Sequence, residues 1–111
     1  MLVIIAEVAT LDHHPADSAF AEDLWNTLFN ARAGERLQEG ADLEDAVFRF
    51  YLPMARSLSQ RVRCSTEGEV RVAEQAAELG LARAVLGWQQ PTSAGFRRFA
   101  RTTILQHLLN R

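Results

Sequence analysis

The stretch from Gln75 to Arg111 constrains the fold more strongly than any other part of the chain. Apolar side chains recur at helical spacing through Gly80 as far as Trp88, which predicts one continuous helix. A short polar break containing Pro91 follows, and a second helix is predicted beyond it. The apolar stripe of this second helix consists of Phe96, Phe99, Ala100, Ile104 and Leu108. Two amphipathic helices joined this closely bury their stripes against each other and against further helices, so the predicted fold is a small all-α bundle of about four helices.

Length and composition are those of one compact domain, because 111 residues of which 48% are hydrophobic supply one core. No run reaches the roughly 20 apolar residues of a membrane span, and the apolar start lacks the basic region of a signal peptide. We therefore expect a cytoplasmic protein with no membrane partner. The single cysteine, Cys64, excludes an internal disulfide and is expected to be a half-buried residue near a helix end.

Charge is distributed unevenly along the chain although the formal net charge is only -2. No acidic residue follows Glu78, whereas the basic residues beyond it are Arg83, Arg97, Arg98, Arg101 and Arg111. Arg97, Arg98 and Arg101 share the face of their helix opposite the apolar stripe. Such a cationic C-terminal third indicates an anionic partner.

The first 41 residues form an N-terminal segment and a first helix, which we expect to pack with residues 42–111 as one domain. The apolar run of residues 1–9 is compatible with a strand or with a segment docked on the helices. The adjacent His13 and His14 are interpreted as turn residues, because neighbours in sequence point to different sides of a regular element and make poor joint metal ligands. The first helix is predicted from Asp17 or Ser18, as N-cap, to Ala33.

Gly34 is the predicted stop of this helix, and residues 35–41 are predicted to form a polar connection. Asp42 is the predicted N-cap of a second helix that runs to about Arg63. Pro53 lies inside that helix and should kink it. The predicted buried stripe is Leu43, Val47, Phe50, Met54, Leu58 and Val62.

The third helix is predicted to begin at Thr66, which with Glu69 has the spacing of a capping box. Its predicted buried side is Val70, Ala73, Ala77, Leu81, Ala84, Val85 and Trp88. Thr92 or Ser93 is the predicted cap of the fourth helix, which starts at about Ala94.

A helix-turn-helix is one alternative interpretation of the third helix. Ala76, Gly80 and Leu86 have the spacing of a small residue, a turn glycine and an apolar anchor. The apolar periodicity nevertheless continues through Gly80 without another turn residue, which favours one continuous helix.

The sequence also resembles region 2 of bacterial RNA polymerase sigma factors of the sigma-seventy family. That family has a helix of the form D-L-x-Q-E-G-x-x-G-L-x-x-A-V-x-x-F-D, followed after a short loop by F-S-T-Y-A-x-x-x-I-R. The residues that match these two patterns without a gap are Gln75, Gly80, Leu81, Ala84, Val85, Trp88, Phe96, Phe99, Ala100 and Ile104. Upstream, residues 50–58 resemble the family's Y-L-P-L-V-R-S-I-A helix and include Pro53. The resemblance covers roughly residues 42–111.

The resemblance implies two binding activities. The central helix would dock on the clamp helices of the polymerase β′ subunit, with Val72, Gln75, Ala76 and Leu79 as the contact surface. The last helix would capture the single-stranded minus-ten promoter element, where aromatic faces stack on bases and arginines hold the backbone. The DNA-contacting residues implied in this way are Phe96, Phe99, Arg97, Arg98, Arg101 and Gln106.

Several positions depart from the family pattern. Val72 and Ala76 stand where the family has Asp and Glu, so the polymerase contact loses two carboxylates. Thr102 and Thr103 replace paired tryptophans, and Leu105 replaces an arginine. The chain also contains no counterpart of region 4, the domain that reads the upstream promoter element. These departures predict a sigma region 2-like domain with weakened promoter melting, or a regulator that has kept the fold.

No spacing of nucleophile and base, convergent carboxylates, phosphate loop or metal ligands occurs, so we expect a binding protein and not an enzyme, without metal or cofactor. Two hypotheses follow. A nucleic-acid-binding module would use the arginine face, whereas a protein-interaction module would use the apolar surface around Val72, Ala76 and Leu79 to meet polymerase, an anti-sigma-like protein or a second copy.

Overall fold

The computed structural model describes residues 15–111, with side chains from Ser18 onward. The predictions for residues 1–9 and for His13 and His14 lie outside the described residues. Within that range all regular secondary structure is α-helical. The helices are α1 (Pro15–Ala33), α2 (Leu37–Ser59), α3 (Glu67–Gly87) and α4 (Phe96–Leu109). The predicted all-α class is confirmed. None of these four helices is long and apolar enough to cross a bilayer.

The turn between α1 and α2 is tighter than the sequence predicts. Arg36 N–H donates to the Ala31 carbonyl at 3.0 Å and Glu35 N–H donates to the Arg32 carbonyl at 3.1 Å, which is the hydrogen-bond pattern of a Schellman motif. Its left-handed residue is Glu35, with φ 56°, and not Gly34. The turn therefore needs only residues 34–36, and α2 begins immediately afterwards.

The predicted start of α2 at Asp42 is wrong, since the helix begins at Leu37 and ends at Ser59. Residues 37–41 are helical although they include Gly40. They need not form a connection, because the Schellman motif at residues 34–36 has already reversed the direction of the chain. The buried side is formed by Gly40, Val47, Tyr51, Ala55, Leu58 and Ser59. The predicted stripe was therefore correct at Val47 and Leu58, whereas Leu43, Phe50, Met54 and Val62 are only partly buried. Tyr51 and Ala55 take the central places instead.

The start of α3 confirms the predicted cap. The Thr66 hydroxyl accepts a hydrogen bond from Glu69 N–H at 3.1 Å, and the Glu69 carboxylate accepts one from Ser65 N–H at 2.7 Å. The helix continues through Gly80 to Gly87, so the turn that a helix-turn-helix requires at Gly80 is absent. The predicted buried side is correct at Ala73, Ala77, Leu81, Ala84 and Val85, whereas Val70 is exposed.

The start of α4 differs from the prediction, because the N-cap is Gly95, with φ +86°, and no side chain caps the helix. Only a residue without a Cβ adopts this conformation without strain. Thr92 and Ser93 are not caps of α4, and their hydroxyl groups donate to Glu22 of α1 instead. The buried stripe contains Phe96, Ala100, Ile104 and Leu108, as predicted, but Phe99 is 38% exposed.

The core combines a close helix pair with an aromatic cluster. Antiparallel α3 and α4 approach so closely at Gly80 that a Cβ there would lie 2.8 Å from the Ile104 Cα. At the loop end of this pair, the Phe96 ring lies 4.6 Å from Trp25, 4.7 Å from Tyr51 and 5.7 Å from Trp88, measured between ring centroids. Aromatic rings from α1, from α2 and from the C-cap of α3 therefore pack against Phe96 of α4.

Candidate nucleic-acid interface

An open groove of about 900 Å³ lies between α1, α2, the α3–α4 loop and α4. We call it the arginine groove because four arginines line it. They are Arg61, Arg97, Arg98 and Arg101, and the other lining residues include Ser18, Ala21, Phe50, Tyr51, Met54, Ser57, Ser93 and Gly95. The predicted cationic residues of α4 thus share one concave surface, and the turn that follows α2 supplies the fourth arginine, Arg61.

Arg97 is held in a defined position within the arginine groove. Its guanidinium carbon lies 5.3 Å from the centroid of the Tyr51 ring, and its Nη1 contacts the Met54 sulfur at 3.7 Å. A guanidinium over an aromatic face is attracted by the ring quadrupole, so part of its rotamer freedom is already lost before any ligand binds. Arg97 therefore presents its remaining N–H donors in a fixed fork, a geometry suited to phosphate.

The electrostatics of the arginine groove favour an anion. None of its lining residues that the structure describes is acidic, and none of the four arginines forms an ion pair with a described residue. Their charge is therefore not neutralised by a described ion pair, and a concave surface lined by one sign of charge raises the local concentration of counter-ions.

Tyr51 forms the floor beneath Arg97. Burial raises the pKa of the Tyr51 phenol, and the Trp25 N–H and the Arg97 guanidinium partly offset that effect. The Trp25 indole N–H is buried and forms no hydrogen bond with a described residue. Tyr51 therefore stays neutral at physiological pH and serves as a packing surface.

The wall of the arginine groove opposite α2 is fixed by Glu22 of α1. Its Oε2 accepts hydrogen bonds from Thr92 Oγ1 at 3.0 Å, Ser93 Oγ at 2.9 Å and Ser93 N–H at 3.2 Å. These bonds favour the carboxylate, the hydroxyl of Thr92 most of all, and so lower the pKa of Glu22 despite some desolvation. An ionised Glu22 thus ties the α3–α4 loop to α1.

Arg32 ties the same loop from the other end of α1. Its guanidinium donates to the Trp88 carbonyl at 2.7 Å and to the Val85 carbonyl at 3.1 Å, and it pairs with Glu44 of α2 at 2.9 Å. Carbonyls in the last turn of a helix lack intrahelical partners, so Arg32 caps the C-terminus of α3. One side chain therefore joins three helices.

The DNA-binding residues predicted from the sequence do not all lie on one surface of the structure. Arg97, Arg98 and Arg101 lie together, but Phe96 is 0% exposed at the centre of the aromatic cluster, so its ring is a core residue that offers no surface to a base in this structure. Phe99 lies 5.4 Å from Trp88, between ring centroids, on the side of α4 that faces α3. Its ring is partly accessible.

Gln106 also lies away from the arginine groove. It lines a smaller groove of about 410 Å³ between α3 and α4, together with Ala76, Leu79 and Arg83. The predicted promoter-reading residue and two of the predicted polymerase-binding residues are therefore neighbours. The predicted polymerase surface is otherwise continuous, since Val72 is 47% exposed, Leu79 is 48% exposed and Gln75 is exposed.

The sequence prediction missed Arg61, Tyr51, Glu22 and Arg32. Arg61 lies in the turn just after Ser59, the last residue of α2, so helical periodicity does not place it. No local signal marks the contacts of Glu22 and Arg32 with the end of α3 and the α3–α4 loop, because those groups lie more than 50 residues away in sequence and include backbone groups.

Comparison of the chain with protein-family models, with curated proteins and with solved structures gives no match to any of them. The functional assignment therefore depends on the geometry described above and on the resemblance of sequence patterns.

Proposed function

We propose that this domain is a sigma region 2-like binding module that holds single-stranded promoter DNA in the arginine groove and contacts RNA polymerase through the exposed face of α3. The observation that carries the proposal is the convergence of Arg61, Arg97, Arg98 and Arg101 on one open groove, none of whose described lining residues is acidic. Phosphate contacts supply most of the affinity of non-specific nucleic-acid binding.

The choice of a single strand comes from the resemblance to the sigma family and from the aromatic residues beside the cationic ones. Phe50 lines the arginine groove and is only partly buried, and Phe99 is partly exposed on the neighbouring side of α4. Stacking of an unpaired base on such a ring contributes about 1–3 kcal/mol. The buried Phe96 and the threonines at 102 and 103 leave few further stacking surfaces, so the backbone contacts dominate.

The test is a fluorescence-anisotropy titration of a labelled single-stranded oligonucleotide at low salt. We expect binding by the wild type and a loss of at least tenfold in affinity for Arg97→Ala combined with Arg98→Ala. The matched control is Arg71→Ala combined with Arg83→Ala, which removes the same charge from exposed positions of α3 outside the groove. Equal losses in the two double variants, or no binding by the wild type, would reject the proposed DNA site.

A second candidate function is a protein-interaction module, and the exposed apolar residues of α3 favour it. Val72, Leu79 and Leu86 follow one another at intervals of seven residues and are 47%, 48% and 58% exposed. A stripe of this spacing is typical of a surface that packs on a partner helix. Light scattering of the wild type and of Leu79→Glu tests self-association, and co-elution with core RNA polymerase tests the sigma-like partner.

A further inference from the structure

We infer that Glu22 is a positioning residue for the arginine groove: its carboxylate fixes the α3–α4 loop so that the loop and α4 present the arginines as one surface. The inference rests on the proposed nucleic-acid binding and deepens it. It concerns α1, a helix outside the part of the chain that resembles the sigma family.

Helix α1 contacts the rest of the domain in two ways. Among the described helices, the main chain of α1 packs closely only on α2, and long side chains of α1 reach the α3–α4 loop. Trp25 packs against Phe96, Arg32 binds the Trp88 carbonyl, and Glu22 binds Thr92 and Ser93. Of these, only Glu22 contacts the part of the loop that lines the arginine groove.

Trp88 and Glu22 hold the loop just before α4: the Trp88 indole N–H donates to the Thr92 carbonyl at 2.9 Å, and the Glu22 carboxylate accepts hydrogen bonds from Thr92 and Ser93. The N-cap of α4 is Gly95, which has no side chain to accept hydrogen bonds from the first turn of the helix. Ser93 N–H donates to Glu22, and Ser93 itself lines the arginine groove three residues before α4 begins. The Glu22 carboxylate therefore helps to set where the chain enters α4, and with it the position of Arg97 and Arg98.

Removing the Glu22 carboxylate has two possible effects on the affinity for nucleic acid, and they have opposite directions. A carboxylate beside a cationic groove repels a polyanion, so its removal should strengthen nucleic-acid binding if charge alone matters. If Glu22 instead positions the groove, its removal should weaken binding, because the loop must be ordered at the moment of binding. The two effects have opposite directions, and one measurement separates them.

The experiment compares Glu22→Ala with Asp23→Ala. Asp23 is the adjacent exposed residue of α1, so its replacement removes the same charge without touching the loop. With the labelled oligonucleotide we expect a roughly tenfold weaker affinity for Glu22→Ala, the cost of about one charge-assisted hydrogen bond. We expect an unchanged or slightly higher affinity for Asp23→Ala. Ser93→Ala should weaken binding in the wild-type background and have no further effect beside Glu22→Ala.

Amide hydrogen exchange at Ser93 provides a readout that needs no ligand. The amide should be protected in the wild type and exchange faster in Glu22→Ala, while amides in the middle of α3 stay protected in both and show that the variant is folded. Glu22→Ala and Asp23→Ala with equal affinities, or equal Ser93 exchange in wild type and Glu22→Ala, would overturn the inference. If the wild type fails to bind the oligonucleotide, the proposed function fails, and the exchange comparison alone still decides whether Glu22 positions the groove wall.

Discussion

A Cβ atom on Gly80 would lie 2.8 Å from the Cα of Ile104 and 3.3 Å from the Thr103 carbonyl oxygen. These contacts are with backbone, which cannot rotate away, so α3 and α4 cross at a distance that only glycine permits. The close crossing therefore fixes the position of α3 relative to α4.

Gly80→Ala should therefore destabilise the domain by about 2–3 kcal/mol, because the helices must separate along their whole contact. Urea unfolding followed by circular dichroism measures the effect. Gly40→Ala is the matched control: Gly40 is also helical, but a Cβ there meets nothing within 4 Å. That variant should gain about 0.5–1 kcal/mol from helix propensity. Equal effects of the two substitutions would contradict the close crossing.

Arg32→Ala should lower the free energy of unfolding by about 2–3 kcal/mol, since it leaves the carbonyls of Val85 and Trp88 uncapped and Glu44 without its partner. The Arg32 side chain is 19% exposed, so solvent replaces these bonds only in part. Arg36→Ala is the control, because its pair with Glu39 is surface-exposed and should contribute less than about 0.5 kcal/mol. A loss for Arg32→Ala no larger than the control's would show that the cap does not stabilise the fold.

The stability of the domain should depend on the ionisation of Glu22. Hydrogen bonds to the carboxylate lower its pKa in the folded state below the usual 4.5, so between the two pKa values the unfolded chain binds more protons than the folded one. The contribution of Glu22 is therefore complete above about pH 4.5 and is lost as the pH falls through the folded-state pKa. The difference in unfolding free energy between wild type and Glu22→Gln should shrink over that acid range. A difference that grows on acidification would contradict the assignment.

The surface of α3 tests the sigma resemblance separately from the arginine groove. Val72→Asp combined with Ala76→Glu restores the two carboxylates of the family pattern at an exposed and a half-buried position. If the domain contacts polymerase as the family does, this variant should co-elute with core RNA polymerase more strongly than the wild type. Val70→Asp, on another exposed side of α3, is the control. Weaker co-elution of the double variant would favour an apolar partner instead.

Much of the fold follows from periodicity. The stripes of α3 and α4 were predictable because each helix buries one side, and the capping box at Thr66 marks the start of α3. The start of α2 was not predictable from glycine positions, since the left-handed residue of the preceding turn is Glu35 and Gly40 lies within the helix. A glycine in the sequence indicates that a left-handed backbone conformation is accessible at that position, but not whether the folded chain adopts it there.

The site was predictable only in part, for two physical reasons. Helical spacing placed Arg97, Arg98 and Arg101 on one face, but it does not distinguish Phe96, which points into the core, from Phe99, which lies at its edge. Glu22 and Arg32 act on groups that lie far away in the sequence, and long-range hydrogen bonds leave no periodic signal. The residues that assemble the arginine groove thus become visible only once the helices are packed.

The most direct test of the account is the salt dependence of oligonucleotide binding. Three or four arginines on phosphates of a single strand predict a slope of log K against log salt of about −2 to −3, and Arg97→Ala with Arg98→Ala should reduce its magnitude by about 1.4. The control with Arg71→Ala and Arg83→Ala should keep the wild-type slope. A wild-type slope near zero, or one that the groove variant leaves unchanged, would contradict the claim that the arginine groove binds nucleic acid.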